Sequence, residues 1–166
     1  MSDLFDDLTV GLEQAIELAN EKEDIVKQYI VVRKDACTVT GEPVSAHKLA
    51  VMVAHASMAF LSNLVLENEK DGHVAFDLDE ETHRWLTGIF TKVLLEAKNL
   101  RALEKVVAQA KENGLVEGRD YFCIRDNCLT ELLPDEGSVR CFVAVGFRPM
   151  DVKRLRPVVK RLQLYR

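Results

Sequence analysis

Apolar residues recur along this chain in two rhythms. Leu4, Leu8, Leu12, Ile16 and Ala19 follow one another at spacings of four or three with acids between them, which predicts an amphipathic helix over 3–24. The rhythm then changes. Tyr29-Ile30-Val31-Val32 is a short β-branched run and predicts a buried strand. Thr40-Gly41-Glu42-Pro43 marks a loop, and Ser45 is placed to cap a helix running to about Glu67. In that helix Leu49, Val53, Ala56, Phe60 and Leu64 share a face that predicts the core side. Lys48, Met52 and His55 share another face.

The polar stretch 68–81, broken by Gly72, reads as a loop leading into a short helix at 81–86. Lys92-Val93-Leu94-Leu95-Glu96 predicts a second strand. Asn99 caps a helix carrying Leu100, Leu103, Val106, Val107 and Ala110, and Asn113-Gly114 ends it. Tyr121-Phe122-Cys123-Ile124 and Cys141-Phe142-Val143-Ala144-Val145 predict the third and fourth strands, with a loop at 126–138 between them. A final helix is expected over 151–164, with Pro157 as its weak point.

Strands interleaved with helices predict an α/β protein: a three-layer α/β/α domain over 25–166 built on a four-stranded mixed sheet, preceded by an acidic helical extension at 1–24. A length of 166 residues suits one such domain. No apolar run of about 18 residues stands out, so no membrane span or membrane partner is expected. The start, Met1-Ser2-Asp3-Leu4-Phe5-Asp6-Asp7, lacks the basic and apolar regions of a signal peptide, and a cytoplasmic location is expected. The four cysteines form no Cys-x-x-Cys pair and have no zinc-like spacing to histidine, so they read as reduced thiols.

Charge changes this picture at the two ends. Residues 1–24 hold eight acids and one base, a net −7, within a chain of net −5. Residues 139–166 hold eight bases (Arg140, Arg148, Lys153, Arg154, Arg156, Lys160, Arg161 and Arg166) against Asp151. A basic end of this kind suits either an anionic ligand or simple solvation of a helix face.

Two constellations have residues suited to chemistry. Lys48 and His55 lie near the start of a helix, where backbone N–H groups also favour an anion, although an exposed Lys and His flanking an apolar helix have the same spacing. Asp126 and Thr130 lie just beyond a strand, the usual ligand end in layered α/β domains. A carboxylate and a hydroxyl there are suited to orienting a water, although an Asp/Asn-rich turn has the same composition. The chain has no Gly-x-Ser-x-Gly, phosphate loop, Gly-x-Gly-x-x-Gly or His-Glu-x-x-His, which removes support for the common hydrolase, nucleotidase and dinucleotide readings.

From about Lys27 onward the segments resemble, in order and spacing, the type II peptidyl-tRNA hydrolases. The residues that carry the resemblance are Val32-Arg33-Lys34-Asp35, the helix start His47-Lys48 with His55-Ala56 after it, and Trp85 before Lys92-Val93-Leu94-Leu95. They continue with Lys111-Glu112-Asn113-Gly114-Leu115, Ile124-Arg125-Asp126-Asn127-Cys128-Leu129-Thr130, Gly137-Ser138 and Gly146-Phe147-Arg148-Pro149. The resemblance implies an esterase that cleaves peptide from tRNA with no cofactor or metal. It places Lys48, His55, Asp126, Thr130 and Ser138 in the active-site cleft and adds RNA as partner and pairing into a homodimer. On this basis Asp126 orients or deprotonates the water, Thr130 and Ser138 hydrogen-bond ester or water, and Lys48 supplies positive charge to the developing oxyanion or a nearby phosphate. The chain differs from the family pattern at His47 (Gly), Met52 (Gln) and Cys128-Leu129 (Gly-Arg). Those differences leave two alternatives: a non-catalytic module binding RNA or protein, or a small-molecule hydrolase with a repurposed site.

Overall fold

The computed structural model describes residues 25–166, so the expected helix at 3–24 lies outside the described residues. Strand β1 (Val26–Arg33) is the centre of the sheet. Its pleat sends Tyr29 and Val31 into one apolar cluster and Ile30 and Val32 into the other. A strand buried on both faces reads as a continuous apolar run, as this one does.

Helix α1 (Ala46–Asn68) is followed by a small hairpin, β2 (Glu69–Lys70) and β3 (His73–Val74), and by helix α2 (Glu80–Thr87). Strand β4 (Lys92–Ala97), helix α3 (Leu100–Glu112), strand β5 (Tyr121–Asp126) and strand β6 (Cys141–Phe147) come next. The chain closes with β7 (Met150–Asp151), helix α4 (Val152–Val159) and β8 (Gln163–Leu164). The sheet order is β5-β6-β1-β4-β8, with β7 alongside β1. β1 and β4 are parallel and the other pairings antiparallel. The α/β/α class and mixed sheet stand, with six strands in place of the expected four.

The extra strands explain a second correction. The chain after Val159 does not continue as helix to 164. Gln163 and Leu164 pair with Glu96 and Leu95, and the Tyr165 N–H donates to the Leu94 carbonyl. Pairing with the open side of β4 satisfies backbone groups that a longer helix would leave to solvent. The loop at 68–81 likewise contains the β2–β3 hairpin, turned by Asp71 and Gly72 at positive φ.

Leu103, Val106 and Ala110 of α3 and Leu155, Val158 and Val159 of α4 cover one face of the sheet. Met52 and Ala56 of α1 cover the other. Met52 is 2% exposed, so it belongs to the core and not to the separate face expected for it. Leu49 and Val53 pack at the edge of that same cluster. An 18-residue window of α1 has mean hydropathy 1.8, so this helix is, by length and composition, apolar enough to cross a membrane. That corrects the expectation that no such segment exists. Its seating on the sheet makes it a layer of the domain. Gly146 of β6 lies directly beneath the Ala56 backbone, and buried Gln28 of β1 donates to the Ser57 carbonyl at 2.7 Å.

Tyr121 is fully buried, and its hydroxyl has no hydrogen-bond partner among the described residues. A buried hydroxyl without a partner is a net cost. Tyr121→Phe is therefore expected to raise stability by about 1 kcal/mol in urea unfolding. A clear loss of stability would show that the hydroxyl has a partner after all.

Candidate active site

Ser45 caps α1 as expected, its hydroxyl accepting from the Lys48 N–H at 3.3 Å. The cap fixes the first turn, and Lys48 leaves it toward the C-terminal end of β5. There its Nζ lies 2.9 Å from Asp126 Oδ2. The two side chains are 12% and 21% exposed, so the pair is mostly shielded from water and less screened than a surface pair. The other Asp126 oxygen, Oδ1, accepts from the Cys128 N–H at 2.8 Å. Cys128 adopts φ 54, the left-handed region, which lets the chain fold back onto Asp126. Two of the expected site residues thus meet, held by a helix cap on one side and a left-handed turn on the other.

Burial pushes the Asp126 carboxyl up. The Lys48 hydrogen bond, the Cys128 N–H and the charges of Lys48 and His55 outweigh burial and hold it below its ordinary 3.8. The same sign holds for Asp79 and Asp120, where burial again raises and hydrogen bonds with arginine charge lower more strongly. A carboxylate with a depressed folded pKa stabilises the protein fully above the unfolded value. That stability is lost as pH falls through the folded value. The urea midpoint is therefore expected to be level from about pH 7 to 5 and to drop below about pH 4. A maximum near pH 3 would contradict this.

His55 is exposed, two turns along α1 from Lys48, and lines an open cleft of about 450 Å³ together with Met52, Ala59 and Ser62. The opposite wall is the run 123–127 of β5 and its exit. Thr130 and Ser138 are exposed and lie outside this lining. The Ser138 hydroxyl accepts from the Arg140 N–H, and the Ser138 N–H donates to the Asp135 carbonyl. Lys48, His55 and Asp126 are brought together. Thr130 and Ser138 are on the adjoining loop.

That loop is anchored by contacts with no local signal in the sequence. Arg33 at the end of β1 is paired with Asp35 and Asp135. Asp135 also accepts from the Phe142 N–H at 2.7 Å. Leu133 N–H donates to the Cys37 carbonyl, and Val39 N–H to the Glu131 carbonyl. His47 sits 3.6 Å from Glu131. The Arg33 pairs and these backbone bonds thus hold the Thr130 loop against the end of β1 and the segment that follows it.

The expected basic end is divided. Arg148 pairs with Asp79, Glu81 and Asp120, and Arg154 with Glu81 and Asp120. These contacts border a second cavity, of about 280 Å³, at the opposite end of the α1–β5 seam. Its arginines and carboxylates neutralise one another, which makes it a structural junction. Arg125 lines the Asp126 cleft and is exposed. Arg140 directly precedes Cys141, the residue opposite Asp126 in the β5–β6 ladder. Burial pushes the Cys123 and Cys141 thiols up to about 12, so both stay protonated and are poor nucleophiles. Among the described residues no cluster of three metal-ligating side chains occurs.

Comparison with known proteins gives one finding. The family model described as "Peptidyl-tRNA hydrolase PTH2" matches residues 26–165, nearly all of the described chain. A search among curated proteins finds no match.

Proposed function

The chain belongs to the peptidyl-tRNA hydrolase family PTH2, and from that premise we propose that it hydrolyses the ester joining a peptide to the 3′ end of its tRNA. The observation that carries this reading is the Lys48–Asp126 ion pair at 2.9 Å, at the strand end beside the open cleft. The depressed Asp126 carboxyl is ionised at neutral pH but is a weak base. Its part is to orient Lys48 and the attacking water. Lys48 supplies positive charge to the oxyanion that develops on the ester carbonyl. His55, at the cleft wall, exchanges protons with water and the leaving ribose hydroxyl. Thr130 and Ser138 hydrogen-bond the substrate from the adjoining loop. The reaction draws on no metal or organic cofactor.

Arg125 and Arg140 flank the Asp126 end and are the cations proposed to meet the phosphates of the tRNA end. We place the reaction in the cytoplasm, with a homodimer as the assembly to be checked by sedimentation. The test is release of free tRNA from N-acetyl-dipeptidyl-tRNA by the full chain. Turnover is expected, with kcat/KM falling steeply between about 50 and 200 mM salt as phosphate contacts are screened. A folded protein that binds tRNA without turnover would make it a binding module instead. Turnover of simple esters with no response to tRNA would make it a small-molecule hydrolase.

A further inference from the structure

Among the described residues β5 ends the sheet, so one of its edges has no strand beside it. Near its start that edge is already occupied: the Tyr121 N–H donates to the Val116 carbonyl, and the Tyr121 carbonyl accepts from the Gly118 N–H. Backbone groups of alternate residues face the same edge of a strand, so the next outward pair belongs to Cys123. The cleft begins there. Its β-side wall is the consecutive run 123–127, with Val143 of β6 behind it. Cys123 belongs to the α3 side of the sheet and Ile124 to the α1 side. A cavity lined by residues from both pleat faces reaches the strand's free edge, and Val143 of β6 shows that it also extends over the α1 face of the sheet. Met52, His55, Ala59 and Ser62 of α1 form the other wall of this slot. The Arg125 charge blunts the edge toward another folded sheet, while the cleft leaves room beside it for an extended chain.

We infer that the peptide part of the substrate adds to β5 as a short parallel strand, its last residues beside 123–126 and its ester carbonyl at the Lys48–Asp126 pair. The direction follows from the placement of that pair at the C-terminal end of β5: a peptide ending there extends back toward Tyr121. The length follows from the closed edge at Tyr121, which stops pairing about three to four residues from the ester at roughly 3.3 Å per residue. Strand pairing recognises backbone and not side chains. A hydrolase that holds its substrate this way accepts peptides of any sequence, while a free amino acid on tRNA presents no strand to pair.

The inference rests on the esterase reading of the same cleft, and the experiment separates the two. The full chain is assayed on tRNA carrying acetyl-alanine and acetylated alanine peptides of two to six residues. A tetrapeptide series follows with each backbone amide methylated in turn. kcat/KM is expected to rise about tenfold over the first three or four residues and then to level. Methylation is expected to lower it about tenfold at the amide facing Cys123 and to change neighbouring positions less than about twofold. Turnover that ignores both length and methylation overturns strand addition and leaves the esterase reading standing. Absence of turnover on every substrate overturns both.

Discussion

Asp126→Asn is expected to fold like the wild type and to lose about 10²- to 10³-fold in kcat/KM on peptidyl-tRNA. Asparagine keeps the shape of aspartate and still offers an oxygen to the Cys128 N–H. What disappears is the negative charge opposite Lys48. Lys48 then loses the partner that holds its ammonium at the end of β5, and its flexible stem lets it turn to solvent. The stability cost is correspondingly modest, about 1–2 kcal/mol, because Lys48 escapes burial when unpaired. Lys48→Met removes the other half of the pair and is expected to lose a similar factor. If the two act as one unit, the double variant loses little more than either single one. Losses that simply multiply would mean that Lys48 and Asp126 serve separate steps. A fully active Asp126→Asn protein would move the chemistry elsewhere.

Much of the candidate site's local geometry was legible in the sequence because its parts are set locally. The Ser45 and Asn99 caps act as expected, since a cap needs only the first turn it closes. Lys48 and Asp126 were singled out from a helix start and a strand end, which periodicity locates well. Their meeting was not legible from spacing, because it depends on how α1 crosses the sheet. The burial of Met52 was missed for the same reason. Helical spacing defines an apolar stripe but not which margin of it faces the sheet, and Met52 lies on a margin. β8 and the Arg33–Asp135 lock are long-range pairings of short segments, where local preference is too weak to decide. Cys128 at positive φ gave no signal of its own, although it stands where the family has glycine.

Gly146→Ala is expected to be the most damaging glycine-to-alanine change among the described residues. A Cβ there would sit 2.1 Å from the Ala56 carbonyl oxygen, 2.8 Å from its carbon and 3.1 Å from its Cα. All three are backbone atoms of α1, so no side chain can swing aside. The helix itself must move. It is tied down one residue later, where Gln28 donates to the Ser57 carbonyl and accepts from the Ser57 hydroxyl. Relief of the clash therefore breaks buried hydrogen bonds or opens the Met52–Ala56 packing. A loss of about 3 kcal/mol is expected, at the upper end for overpacking, read as a lower urea midpoint. Ala56→Gly is not expected to rescue it, because the clash is with the carbonyl and not the Ala56 methyl. Such protein as folds is expected to be slower as well, since the displaced helix carries Lys48 away from Asp126. Unchanged stability would show that α1 does not rest on β6 at Gly146. The Lys48–Asp126 register would then have to be set by the Ser45 cap and the Gln28–Ser57 bonds alone.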